Sequence, residues 1–263
     1  MYMTSPDWFT QVVLFEMAEL DPLAPAFRHC ALRLASFTAA SAVCCRQAAR
    51  GSFLSALFGA ARACGAALGK PGSGPPERSA LGPLLQSLLS MAGHPGGLAA
   101  EMVAAEPGAA RGAADLMQSL TARRELGGLL LDAARLYGAL AAVDQAHNTP
   151  AACRVAETVA RQLCLRGDTE LHKIRSFGKA EVLEGAQAQA AHSFILSAVA
   201  VQSLSATLRA HYRALGHSDA ECAVAGWSLL KAAGELEQHP NAIIRQTVAK
   251  HLTARSADTG RSR

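Results

Sequence analysis

Half of the 263 residues are hydrophobic, 5% are aromatic, and 56 are alanine. That length supports a sizeable core, as one large domain or two smaller ones, which excludes a disulfide-stapled miniprotein. Alanine has the best helix propensity, and Val, Ile, Thr and Tyr runs are nearly absent, which excludes a sheet-built fold; the net charge of +4 is too modest to define a partner.

The expected fold is therefore all-α: a multi-helix bundle with an N-terminal helical arm and a long, largely buried central helix at about 179–215. Ser5-Pro6-Asp7 opens the first helix with a capping hydroxyl, a proline at the first helical position and an acid in the first turn. Asp21-Pro22 ends it. Trp8, Phe9 and Phe15, with Tyr2, make this arm a candidate docking element, against its own chain or a neighbour. Met1–Leu20 holds three acids and no base, a pattern expected of neither a signal peptide nor a transit peptide.

A second helix is expected from Pro25 to Arg50, with an apolar seam at Phe27, Ala31, Leu34, Thr38, Ala42 and Cys45. Arg28, Arg46 and Arg50 fall together on a different strip of it. Ser52–Gly69 is the next helix. Lys70–Pro76 is rich in glycine and proline, so residues 70–112 read as a connector with short helices. Within it, Leu85, Leu88 and Leu89 have the LxxLL spacing of a helix that docks in a groove; the same spacing at Leu126–Leu130 reads as core.

Helices follow at about 109–120, 121–147 and 150–166, the last ended by Gly167-Asp168. Phe194–Val201 is apolar nearly all round, which marks the central helix as buried on most sides. Further helices are expected after Ser218 and from Asn241, then a disordered basic tail. The domain plan is 1–69 arm and basic helices, 70–112 connector, 113–254 main bundle and 255–263 tail. Neither Ser52–Gly69 nor Leu126–Val143 offers an uninterrupted apolar span of about 20 residues, so no membrane crossing is expected.

Charge patterning carries the functional expectation. From Pro22 to Pro76 there is no acid, against Arg28, Arg33, Arg46, Arg50, Arg62 and Lys70. A second acid-free stretch, Gly185–Ser218, holds Arg209 and Arg213 with Tyr212 between them. Like charges at i, i+4 weaken a helix unless an anion sits nearby, so Arg28, Arg46, Arg50, Arg209, Tyr212 and Arg213 form a candidate anion or nucleic-acid site. Pairing with the acids of Asp115–Glu184 is the ordinary structural alternative.

Catalysis and metal binding find little support. His172 beside Asp168 and Glu170 is more simply a capped, solvent-facing short helix than an acid–base pair. No bundle metal spacing, phosphate loop or nucleophile elbow occurs, and the seven cysteines lack finger spacing, reading as reduced, buried thiols. The expectation is an intracellular, cytoplasmic or nuclear, non-enzymatic assembly protein without cofactor or metal, which self-associates or scaffolds a protein complex. The alternatives are an RNA-packaging nucleoprotein or coat protein, and a helical enzyme or small-molecule pocket protein.

Overall fold

A computed structural model describes residues 6–49, 52–75, 78–94, 98–121, 123, 126–144, 150–176, 185–214, 216 and 234–249. Among these the chain is 84% helix with no strands, in eleven α-helices, as the alanine-rich composition requires. The chain divides into two compact units, Met1–Ala156 and Glu157–Arg263.

The first unit is built on α5 (Leu81–Ala92), whose Leu81, Leu84, Leu85, Leu88 and Met91 are fully buried. It packs against α2 (Pro25–Ala40), α8 (Gly127–Ala141) and, less extensively, α4 (Ser52–Gly69). Residues 70–112 are thus not a connector. Their leucines supply the core, with α6 (Leu98–Ala105) and α7 (Ala109–Leu120) beside them, because burying those side chains outweighs the breaking tendency of the flanking glycines and prolines. Gly108, at φ +95, turns the chain into α7.

Helices α4 and α7 approach closely, since a Cβ on Gly69 would lie 2.7 Å from the Ser119 carbonyl oxygen. Small side chains permit that approach and compensate for the scarcity of large ones. Arg123 closes the adjoining corner. Its guanidinium donates to Leu68 O at 3.0 Å and also to the Ser73 hydroxyl, giving a cation to the C-terminal end of α4.

The expected helix from Pro25 to Arg50 is two helices. Ser41 is extended (φ −142, ψ 124), and its hydroxyl accepts from Cys44 N at 3.5 Å to cap α3 (Ala42–Ala48). The Thr38 carbonyl accepts from Cys45 Sγ at 3.0 Å, so the break leaves that buried acceptor satisfied. α1 (Pro6–Ala18) docks on α2 and α3 with Val13, Leu14 and Met17 buried; the arm therefore folds onto its own unit.

Helix α9 (Pro150–Ser176) runs unbroken through Gly167 and Asp168, which overturns the expected stop. Gly167 is buried, and a mid-helix glycine costs only about 1 kcal/mol against alanine, too little to end a 27-residue helix. The His172 segment is accordingly the end of this long helix, with Lys173 and Glu170 paired at 3.0 Å.

In the second unit the expected central helix is α10 (Gly185–Ala214); positions 179–184 and 215 lie outside the described residues. Phe194, Ile195, Ala198, Val199, Ala200 and Val201 are all buried. The stretch Gln189–Arg209 has a spanning helix's length and mean hydropathy of 1.3, yet 73% of that apolar window is covered by protein, as in a core helix. A short 3-10 turn, Leu236–Gln238, precedes α11 (Ala242–Val248), which packs on it and on α10. Asn241 caps α11, as its place in the sequence suggests, by accepting from Ile244 N at 3.4 Å.

Candidate binding face of the N-terminal unit

One exposed aromatic side chain of the first unit lies on α1. Hydrophobic side chains at the positions that face α2 and α3 sink into the core, which turns Phe15 outward at 63% exposure. Its ring meets the Phe53 ring of α4 edge-on, with centroids 5.3 Å apart. Edge-to-face geometry fixes an aromatic side chain that would otherwise wander. Beside this pair runs an apolar cleft of about 230 Å³, lined by Leu14, Met17, Leu20, Phe27, Phe53 and Leu57 among others. Phe15 is the one expected docking aromatic whose side chain is described; those of Trp8 and Phe9 lie outside the described residues.

The expected LxxLL docking strip is a correction. Leu85 and Leu88 are fully buried and Leu89 is half-buried, so these leucines hold α5 in the core and cannot reach a partner without opening the unit. Identical spacing serves core and groove alike, and only the packing of α2 and α8 on α5 decides between them.

The basic residues separate into two groups. Arg33 donates to Glu16 at 3.0 Å, an acid that α1 brings across to the acid-free stretch. With side chains 34% and 46% exposed, that pair contributes about 0.2–1 kcal/mol. Arg28, half-buried, and Arg209 and Arg213 on α10 each interact within the chain as well. Arg46 and Arg62 are exposed, with no carboxylate partner among the described residues. Arg50 and the Tyr212 side chain lie outside the described residues. The break at Ser41 also ends the periodicity that would set Arg28 and Arg46 on one strip.

Six cysteines are described, all buried and free of disulfides. Burial, then the Glu16 carboxylate, raises the Cys30 thiol's pKa, and its Sγ donates to Glu16 Oε2 at 3.7 Å. Burial likewise raises Cys64, outweighing the Ser79 hydroxyl and Ala80 amide that favour its thiolate. Such thiols are packing groups rather than nucleophiles. Among the described residues no three His, Cys, Asp or Glu side chains are placed to hold a metal.

A second cleft, of about 260 Å³, lies on the other side of the 20–24 turn, between that turn, α4 and residues 73–75 and 78–80. Sequence reasoning missed it because contact between residues about 50 apart leaves no local pattern. No protein-family model, curated protein or solved structure matches the chain.

Proposed function

We propose that this chain is a non-enzymatic assembly protein that self-associates through the α1–α4 face. The observation that carries the reading is Phe15, a 63% exposed ring held edge-on by Phe53 at the rim of an apolar cleft. A fixed aromatic beside an apolar groove has the form of an interface anchor, where a few residues supply most of the binding energy. A second copy offers both a ring to insert and a groove to receive one, so a two-fold contact uses each element twice.

Sedimentation of the full chain over a range of concentrations tests this. Oligomers are expected, and Phe15→Glu is expected to shift their dissociation by at least tenfold, since it places a charge where an aromatic is desolvated. A strict monomer at high concentration, or an unchanged oligomer in Phe15→Glu, rejects the proposal.

Nucleic-acid packaging is a second reading, supported by exposed Arg46 and Arg62, which lack carboxylate partners among the described residues. It requires nucleic acid to copurify and to leave in high salt, because released counterions drive such binding. The 260/280 nm absorbance ratio before and after a salt wash distinguishes the two readings.

A further inference from the structure

The cleft on the far side of the 20–24 turn differs in chemistry from the apolar one. Its floor is α4, with Cys64 and Leu68 almost fully buried and Ala67 half-buried. Pro22 and Leu23 form one wall, and Leu23 is 60% exposed over the opening. The other wall is formed by residues 73–75 and 78–80, which include Arg78 and Ser79. Arg78 is exposed, and no carboxylate among the described residues meets its guanidinium.

The charges nearby favour an anion. Arg123 is fixed behind the same segment by Leu68 O and Ser73, and Lys70 is exposed at the end of α4. Among the described residues Asp21 is the neighbouring acid, and its Oδ1 already accepts from Leu23 N at 2.9 Å; Glu77 lies outside them. The polar backbone at the wall is also committed, with Arg78 N donating to Pro75 O and Leu81 N to Ser79 Oγ. What remains open is an apolar floor and one cation. At about 260 Å³ the cleft lies below the roughly 300–1,000 Å³ that suits drug-sized ligands.

We propose that this cleft binds a small amphiphilic anion, a short-chain carboxylate whose head meets the Arg78 guanidinium and whose tail covers Ala67, Leu68 and Leu23. Arginine's planar fork matches a carboxylate with two parallel donors, which a neutral head group of equal length does not exploit. The tail covers Leu23 and Ala67 surface that is otherwise wet. Occupancy is independent of self-association, since the lining residues other than Pro22 are not shared with the Phe15 cleft.

The test is titration of the full chain with hexanoate and, separately, hexanol, followed by saturation-transfer NMR and calorimetry. Saturable hexanoate binding is expected, with hexanol weaker. Arg78→Ala, an exposed substitution, is expected to lower hexanoate affinity by about tenfold and leave hexanol unchanged, as loss of a hydrogen bond to a charged group implies. Ala67→Leu fills the floor and is expected to abolish both. No saturable hexanoate binding, Arg78→Ala with wild-type hexanoate affinity, or undiminished binding in Ala67→Leu overturns the proposal.

Discussion

At the scale of single residues, His239 shows how one titrating group can govern a helix end. Its Nδ1 accepts from Asn241 N at 3.1 Å, at the residue that caps α11, so the bond needs that nitrogen unprotonated. Arg245 donates to the carbonyls of His239 and Pro240 at 2.6 and 2.9 Å, bringing its positive charge to the same turn. Burial first, and then Arg245, lowers the histidine's pKa below its ordinary 6.5. Between that lowered value and 6.5 the unfolded chain binds more protons than the folded one, so stability rises with pH. The contribution is complete above about 6.5 and is lost as pH falls through the folded pKa. The protection factors of the Asn241 and Ile244 amides, which compare each exchange rate with its intrinsic value at the same pH, should therefore fall on going from pH 7.5 to pH 5. His239→Asn, which keeps an acceptor but cannot titrate, should remove most of that pH dependence, and an equal fall in protection in the variant would refute the assignment. Cys164 illustrates the opposite outcome of burial. Its pKa is raised to about 11 by desolvation and then by Asp168, so alkylation at neutral pH should be very slow in the folded chain and fast in denaturant.

At the scale of elements, the sequence is most legible where a face repeats and least where a break must be judged. Of the expected seam, Phe27, Ala31, Leu34, Thr38 and Cys45 are buried as their spacing indicates and Ala42 is half-buried, yet the seam continues across two helices rather than one. Ser41 could equally sit inside a helix. Its side-chain cap and the Cys45–Thr38 bond that tolerates the break form only when α3 turns back into the unit. Gly167 shows the reverse error, a residue that ends many helices but is itself buried and carried within a long one. Glycine positions within α4 make this concrete. At Gly59 nothing lies within 4 Å of an added Cβ, so Gly59→Ala should stabilise by about 0.4–1 kcal/mol through the unfolded chain. At Gly69 the Cβ meets a backbone oxygen that cannot swing aside, and Gly69→Ala should cost about 1–3 kcal/mol. Urea midpoints of the two variants with unchanged slopes would check both signs. Equal effects would mean that α4 and α7 do not approach as described.

At the scale of the molecule, helix content follows from composition, whereas the division at Ala156 and Glu157 does not. Glycine and proline in 70–112 suggest a boundary, but the leucines between them decide the matter by filling the first unit's centre. The acid-free stretches were legible as charge, but their answer was not, because Glu16 reaches Arg33 only through the docking of α1 on α2. Leu88 tests the resulting organisation. It is fully buried in α5, which packs against α2, α4 and α8, so Leu88→Ala should destabilise by about 2–5 kcal/mol through lost transfer energy and a residual cavity. If each unit opens as its own cooperative body, hydrogen exchange should quicken in α2, α5 and α8 while Phe194–Val201 of α10 keeps its protection. Equal loss of protection in α10 would show that the two units unfold as one. Were α5 instead an exposed docking helix, Leu88→Ala would leave exchange in α2 and α8 unchanged, and the burial that removes its leucines from partner binding would be refuted.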